Sequence, residues 1–355
     1  MRKNAMKFAV IAALLLVSAC RQPDSADVVS PGPCDRACLE NYVDRYMDAM
    51  LANVVSPELF AEGCVFTENG VRLPLGNEGL WASMTGRGTY SFYVPDVETQ
   101  QVAFIGTARE EAQQLGEGDP VAVALRLKIV NGKITEAEQL VVRADSGMGA
   151  GRQPAAVLIE KMGSPHEIFM ETIPPEQRHT RMELIEIANK YFTGLQKNDG
   201  KGDYPFTDDC DRFENGMQTT NVPLAPGQEM PNPLEVETYS THWGCREQFE
   251  SGLAYFVSLI RDRRFVAVDR ERGNVFVFVF FDHGAGETRR FTTPDGREVV
   301  AGPTAPWTWQ IGEIFRIENG MIRRIEAILH RVPYGMNSGW STYEMGRSDE
   351  IQVVK

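Results

Sequence analysis

The sequence predicts an α+β fold made twice over, and three patterns carry that reading. Apolar residues recur at helical spacing at the start of each half, then give way to strand-like runs, the order expected when helices pack on an antiparallel sheet. Two hairpins share one signature: residues 129–143 (IVNGKITEAEQLVVR) and 311–331 (IGEIFRIENGMIRRIEAILHR) each set Asn-Gly between strand runs, a strong short-range hairpin signal. Further matches keep their order while their spacing grows. Glu68 pairs with Glu214, Asp96 with Asp269 and Asn131 with Asn319, at offsets of 146, 173 and 188. Such ordered drift reads as a duplication whose second copy has gained about 27 residues around Phe249 and about 15 around residues 284–303.

The N-terminus reads as a leader. Arg2, Lys3 and Lys7 form a basic region, residues 8–17 an apolar core, and Val17-Ser18-Ala19-Cys20 a cleavage site. The last four residues resemble the lipobox of bacterial lipoproteins, which implies removal of residues 1–19 and lipidation of Cys20. Arg21, rather than Asp, follows the cysteine; in lipoproteins that favours the outer membrane. The expectation is a protein secreted across the inner membrane and lipid-anchored facing the periplasm, touching the membrane only through its lipid. Residues 20–33, rich in Pro, Ser and Asp, are its tether.

The first copy spans residues 34–145. Asp35 is a helix cap ahead of Leu39, Tyr42/Val43, Tyr46/Met47 and Met50. Strands are expected at 89–94, 101–107, 121–129 and 133–142. Residues 146–178, punctuated by Gly and Pro with a short helix at 155–162, form a connector that could pack across both copies. The second copy spans 179–335. Thr180-Arg181-Met182-Glu183 is a capping-box pattern, followed by Leu184, Ile187/Ala188, Tyr191 and Leu195 on one helical face. Phe249, Leu253, Phe256/Val257 and Ile260 predict a second helix, and strands follow at 263–268, 274–281, 307–317 and 321–331. Residues 336–355 are a tail.

Helices followed by a strongly curved antiparallel sheet ending in an Asn-Gly hairpin resemble the cone of the nuclear transport factor 2-like, or SnoaL-like, superfamily. Cys34-Asp35-Arg36-Ala37-Cys38-Leu39, Phe66-Thr67-Glu68-Asn69-Gly70 and residues 125–135 also look like an uncharacterised secreted fungal and bacterial family of that superfamily. Arg212-Phe213-Glu214-Asn215-Gly216, Arg263-Arg264-Phe265 and Pro333-Tyr334-Gly335-Met336 look like its second-copy counterparts. The resemblance implies two tandem cone-shaped domains, the second holding an apolar pocket with a few ionisable groups. It implies no particular chemistry, because the fold hosts isomerases, dehydratases, lyases, hydrolases and binders.

Charge and cysteines narrow the class. The formal charge of −13 becomes −16 once the leader's three basic residues are removed, which argues against nucleic acid as a partner. Cys34, Cys38, Cys64, Cys210 and Cys245 remain after Cys20, an odd set that permits at most two disulfides. The pairings expected are Cys210 with Cys245, and Cys64 with Cys34 or Cys38. No ligand spacing supports a metal site.

Candidate chemistry concentrates in the last hairpin. Ile325, Ala327 and Leu329 alternate with Arg324, Glu326, Ile328 and His330, so the first set reads as core and the second as a polar face. His330 replaces Val142 and Arg324 replaces Glu136 of the first copy, beside a shared Glu326/Glu138. A carboxylate beside the imidazole could tune His330 as a general base. Asp282 and His283, ending an apolar strand, are further catalytic candidates. Arg324 and Arg264 are candidate anion clamps. His242 and Trp243 could belong to a lid, while Trp307, Trp309 and Tyr334 could form aromatic walls. Glu68-Asn69 and Glu214-Asn215 read as turns whose carboxylates tie down backbone N–H groups. The function expected is binding of a small organic molecule with cofactor-free isomerase, dehydratase or lyase chemistry; the alternatives are a non-catalytic ligand- or protein-binding lipoprotein, and a hydrolase.

Overall fold

A computed structural model describes residues 32–111, 118–144 and 153–354. The leader, Cys20 and most of the tether lie outside the described residues. The chain runs α1 (Arg36–Leu51), β1 (Phe60–Glu68), β2 (Val71–Arg72), α2 (Leu80–Ser83), β3 (Met84–Asp96), β4 (Gln101–Glu110), β5 (Asp119–Val130) and β6 (Lys133–Val142). After α3 (Ala155–Lys161) come α4 (Arg181–Leu195), β7 (Phe206–Glu214), β8 (Met217–Gln218), α5 (Cys245–Glu250), β9 (Leu259–Asp269) and β10 (Asn274–His283). A small ribbon of β11 (Arg290–Thr292) and β12 (Glu298–Val300) precedes β13 (Trp307–Glu318), β14 (Met321–Val332), α6 (Tyr343–Arg347) and β15 (Ile351–Val353).

This is a mixed α/β fold with one six-stranded and one seven-stranded main sheet. The first runs β2-β1-β6-β5-β4-β3, and the second β8-β7-β14-β13-β10-β9-β15. Neither sheet is wholly antiparallel, as the sequence had suggested: β1 lies parallel to β6 and β7 parallel to β14. A parallel neighbour needs a long crossover, and the meander between β1 and β6, or between β7 and β14, supplies it. The tail adds β15 parallel to β9.

Local chemistry starts and turns the elements as their sequences dictate. The Asp35 side chain accepts from the Cys38 amide at 2.9 Å, and Thr180 with Glu183 forms a complete capping box. Asn131-Gly132 and Asn319-Gly320 both take positive φ, 50° and 75° in one and 51° and 78° in the other, which suits Asn and Gly in a tight hairpin. Glu68 ties down a backbone N–H as expected, accepting from the Leu80 amide at 2.7 Å, and the asparagines after Glu68 and Glu214 do the same for the neighbouring strand. The Asn69 amide bonds both backbone groups of Val141, and Asn215 does the same for Leu329. The helix expected through Ile260 stops at Glu250: Gly252 has φ +65° and Ile260 already belongs to β9.

Helix α1 covers one face of the first sheet, around Tyr46, Phe60, Trp81 and Leu125. Helix α4 covers one face of the second, around Tyr191, Phe192, Phe265 and Phe315. The remaining faces pack on each other through Tyr90, Phe92, Ala124, Phe276, Phe278 and Ile328. Gly312 marks the close approach, since a Cβ there would meet Ala124 Cβ at 2.8 Å. The connector seals this seam, with Ile159 and Phe169 in its apolar core. Both faces of both sheets are therefore buried, and from Gly32 onward the chain is one compact body.

Two disulfides form, Cys34–Cys38 and Cys210–Cys245. Cys64 is a free, half-buried thiol, not the partner of Cys34 or Cys38 that the sequence reading made it. The cap at Asp35 puts Cys34 one turn from Cys38, at a Cα separation of 5.2 Å, so the two satisfy each other. Disulfides fit an oxidising compartment outside the cytoplasm. No helix among the described residues is long and apolar enough to cross a membrane.

Candidate functional site

The β14 face singled out in the sequence lines no more than a void of about 10 Å³, at Glu326 and Ile328. Arg324, Glu326 and His330 turn towards the seam with the first sheet, and all three are buried. Arg324 Nε donates to Glu326 Oε1 at 2.7 Å and its guanidinium lies 4.3 Å from the Phe213 ring centroid. Tyr90 from the first sheet reaches Glu326 at 3.5 Å. His330 Nε2 meets Gln310 Oε1 at 3.0 Å, and burial, with Arg143 nearby, pulls its pKa down to about 4. At neutral pH it is an uncharged imidazole in a packed seam, with Glu326 and Arg324 paired to each other. All three side chains spend their polar groups on neighbours within the protein.

Other candidates are corrected likewise. Arg264 is no anion clamp: it makes a bidentate pair with Glu138 of the first sheet, at 2.7 and 2.6 Å. Asp282 is held by Arg261, Arg347 and Thr308, on the strand face opposite His283. His242 is engaged by the Val222 carbonyl and Gln228. Trp243 packs with Leu253 and Phe291, its Nε1 donating to the Pro231 carbonyl. Tyr334 is exposed and lies outside the cavity lining.

The cavity opens on the other face of the second sheet, under α4 and α5. It encloses about 230 Å³. Ala327 and Leu329, read as plain core, form its floor with Ile311, while Phe249, Phe256 and Phe281 are apolar walls. Two predicted residues do line it, His283 and Trp309. Trp307 stacks on His283 with ring centroids 3.8 Å apart. Burial holds the His283 imidazole near 4 and so uncharged at neutral pH, against the pull of the Phe281 carbonyl and Asp282.

Its polar groups were not singled out in the sequence as a site. Glu313 sits in the middle of β13, fully enclosed, with Oε2 making no hydrogen bond within the protein. Burial raises its pKa to about 8; the neighbouring Glu214 adds to the rise, while Arg212 and the Tyr191 hydroxyl oppose it. Glu313 is therefore a neutral carboxylic acid at pH 7. Burial likewise pushes the Tyr191 and Tyr239 hydroxyls up, so both keep their protons. Arg212 Nε lies 3.4 Å from Glu214 Oε1 and 3.1 Å from Thr219 Oγ1, and Nη2 donates to Gln248 at 2.6 Å. Tyr239 and Gln248 come from the inserted region, and the Cys210–Cys245 bridge pins α5 to β7, which carries Arg212 and Glu214.

The corresponding place in the first sheet is filled. Leu39, Val43, Tyr46 and Met50 repeat the spacing of Leu184, Ala188, Tyr191 and Leu195. The cross-strand pair Leu125/Gln139 stands at the register of Glu313/Ala327. There Tyr46 donates to Gln139 at 2.9 Å, Gln139 donates to Glu68 at 2.8 Å, and Trp81 donates to Tyr46 at 2.9 Å. Every one of these polar groups has a partner. The second sheet has Ala327, Glu313 and Arg212 where the first has Gln139, Leu125 and Phe66. A comparison of the two sheets at β13, rather than only at β14, points to Glu313.

Residues 177–329 match a family model described as a domain of unknown function, DUF8021. That span contains every residue lining the cavity. No curated protein matches the chain. A solved structure described as a de novo designed protein with curved beta-sheet is similar over 42% of this chain and 88% of that one, at 15% identity and a TM-score of 0.23. A likeness that slight carries no argument.

Proposed function

We propose that the chain binds a small organic molecule in the cavity of its second sheet and moves a proton on it by general acid–base chemistry, as an isomerase, dehydratase or lyase does. One observation carries the reading: a fully buried, protonated carboxyl, Glu313, presents an unpartnered oxygen in a cavity that Arg212, Glu214 and Gln248 line together with Phe249, Phe281 and Ile311. Leaving such a group unsatisfied costs about 1–3 kcal/mol, and a polar ligand would recover that cost. Glu313 is the acid that would donate to a ligand oxygen. Glu214, fixed by Arg212, is the second carboxyl of the cavity and would take up the proton that leaves the ligand. Tyr191 and Gln248 position the two.

The wider identity belongs to the same proposal. The strand order shared by the two sheets and the repeated Asn-Gly turns support a tandem duplication of the nuclear transport factor 2-like cone, with a plugged first domain and a working second one. The leader and Cys20 support lipid anchoring at the periplasmic face of the outer membrane. The test of the chemistry is isotopic. A compound retained by the purified protein, incubated in D2O, should exchange hydrogen at carbon with the wild type and not with Glu214→Gln. Retention without exchange in either protein would make the chain a carrier instead.

A further inference from the structure

We infer that the cavity of the second sheet cleaves a glycoside whose sugar ring lies over Ala327, with Glu313 protonating the departing oxygen and Glu214 drawing a proton from an attacking water. The location and the acid and base roles rest on the proposed function; the bond broken, and water as the group that loses the proton, go beyond it.

The register of the sheet places the two carboxyls. Glu214 of β7 pairs with Ala327 of β14, and Ala327 pairs with Glu313 of β13, so the three form one rung, and all three line the cavity. The outer Cα atoms of the rung lie two strand spacings apart, about 9.6 Å, and side chains stand off a sheet roughly at right angles. Alanine in the middle leaves the space between the carboxyls clear. In the first sheet the same rung reads Glu68, Gln139 and Leu125, with the middle filled and the second carboxyl missing. An acid and a base about 6.5–9.5 Å apart, with room for a water, is the arrangement of glycosidases that invert configuration.

The two carboxyls differ as that chemistry requires. Glu313 is 2% exposed and holds its proton at pH 7. The Glu214 side chain is 26% exposed and lies 3.4 Å from the Arg212 guanidinium. The proton donor is shielded, and the carboxylate is open to water. The rest of the lining suits a sugar. Tyr191 on α4, Arg212 on β7, Tyr239 ahead of α5 and Gln248 on α5 meet hydroxyls on several sides of a ring, each hydroxyl able to donate and accept. Phe249, Phe281 and Trp309 offer flat apolar faces to its C–H groups and to the leaving group. A cavity of about 150 Å³ takes benzene, so 230 Å³ suits one sugar ring with part of its leaving group. In the reaction the bond from the anomeric carbon to the glycosidic oxygen breaks as Glu313 gives that oxygen its proton. The water oxygen bonds to the same carbon from the opposite face as Glu214 takes the water's proton, which returns to Glu313 through solvent. The products are an alcohol and a free sugar of inverted configuration.

The purified chain at pH 7 is assayed with the 4-nitrophenyl α- and β-pyranosides of glucose, galactose, mannose, xylose and N-acetylglucosamine, with proton NMR reading the first anomer formed. At least one should be cleaved, with inversion. Glu214→Gln should lose at least about a hundredfold in kcat on that sugar. Glu313→Gln should lose as much on the methyl glycoside but less on the 2,4-dinitrophenyl glycoside, whose leaving oxygen needs little protonation. Circular dichroism checks that both variants are folded. Release from none of these substrates, or retained configuration, overturns the inference, as does a loss in Glu313→Gln that is equal for both leaving groups. Hydrogen exchange at carbon in a retained compound would in that event leave the proposed acid and base standing, and its absence would overturn them as well.

Discussion

Replacing Glu313 by glutamine should change how stability depends on pH, and the sign follows from the buried acid. In the folded chain Glu313 holds its proton to about pH 8, against 4.5 for an ordinary glutamate. Between those values the folded state binds one proton more than the unfolded state, so unfolding free energy falls as pH rises. Each pH unit is worth about 1.36 kcal/mol, so this group removes about 3 kcal/mol of stability between pH 5 and pH 7. His283 and His330 act oppositely, because both are neutral when folded down to about pH 4 and stability falls as the medium is acidified through that range. The wild-type curve therefore mixes opposing slopes, and the difference from Glu313→Gln isolates one of them. Urea unfolding at half-unit pH intervals should show the variant gaining on the wild type by about 3 kcal/mol from pH 5 to 7 and levelling off beyond pH 8. A difference curve that is flat over that range would refute the claim that Glu313 is a neutral acid.

Three further variants separate structure from site. Glu138→Ala leaves Arg264 buried without its bidentate partner, and should cost about 3–5 kcal/mol by denaturant unfolding. The double variant Cys210→Ser, Cys245→Ser opens a bridge spanning 35 residues; it should lose about 3 kcal/mol and show faster amide exchange in α5. His330→Gln should leave ligand affinity unchanged within error while flattening the stability curve between pH 4 and 6.5, by up to about 3 kcal/mol. A large loss of binding in that variant would return the imidazole to the site.

The sequence disclosed the hairpins, the helix caps and the Cys210–Cys245 pair, because each depends on residues close together or on one local rule. Asn-Gly needs positive φ wherever it occurs, and Thr180 caps with Glu183 whatever packs outside. The site was misread for a physical reason. Alternation along β14 says that Arg324, Glu326 and His330 share a face, but not which neighbour that face meets. A sheet with one solvated face would have put the ionisable set outward or in a pocket. Here the first sheet covers that face, so charges pair in the seam and the apolar-looking Ala327 and Leu329 border the cavity. Glu313 was hidden by its setting. A lone acid in an apolar strand run is a signal, but only its first-sheet counterpart, Leu125, shows that an apolar residue satisfies the fold there. Matching Cys64 with Cys210 between the halves separates Cys34 from Cys38, whereas the helix cap at Asp35 places them together.

On the proposed function, the second sheet's cavity is open because Ala327 stands where the first sheet has Gln139. Ala327→Gln should fill it as Gln139 fills its counterpart, reaching Tyr191 and Glu214, without disturbing the seam between the sheets. Native mass spectrometry of the mature chain, purified in parallel as wild type and variant, measures this directly. The wild type should retain a small molecule that is missing from a folded Ala327→Gln. The same compound carried by both proteins at equal occupancy would contradict it.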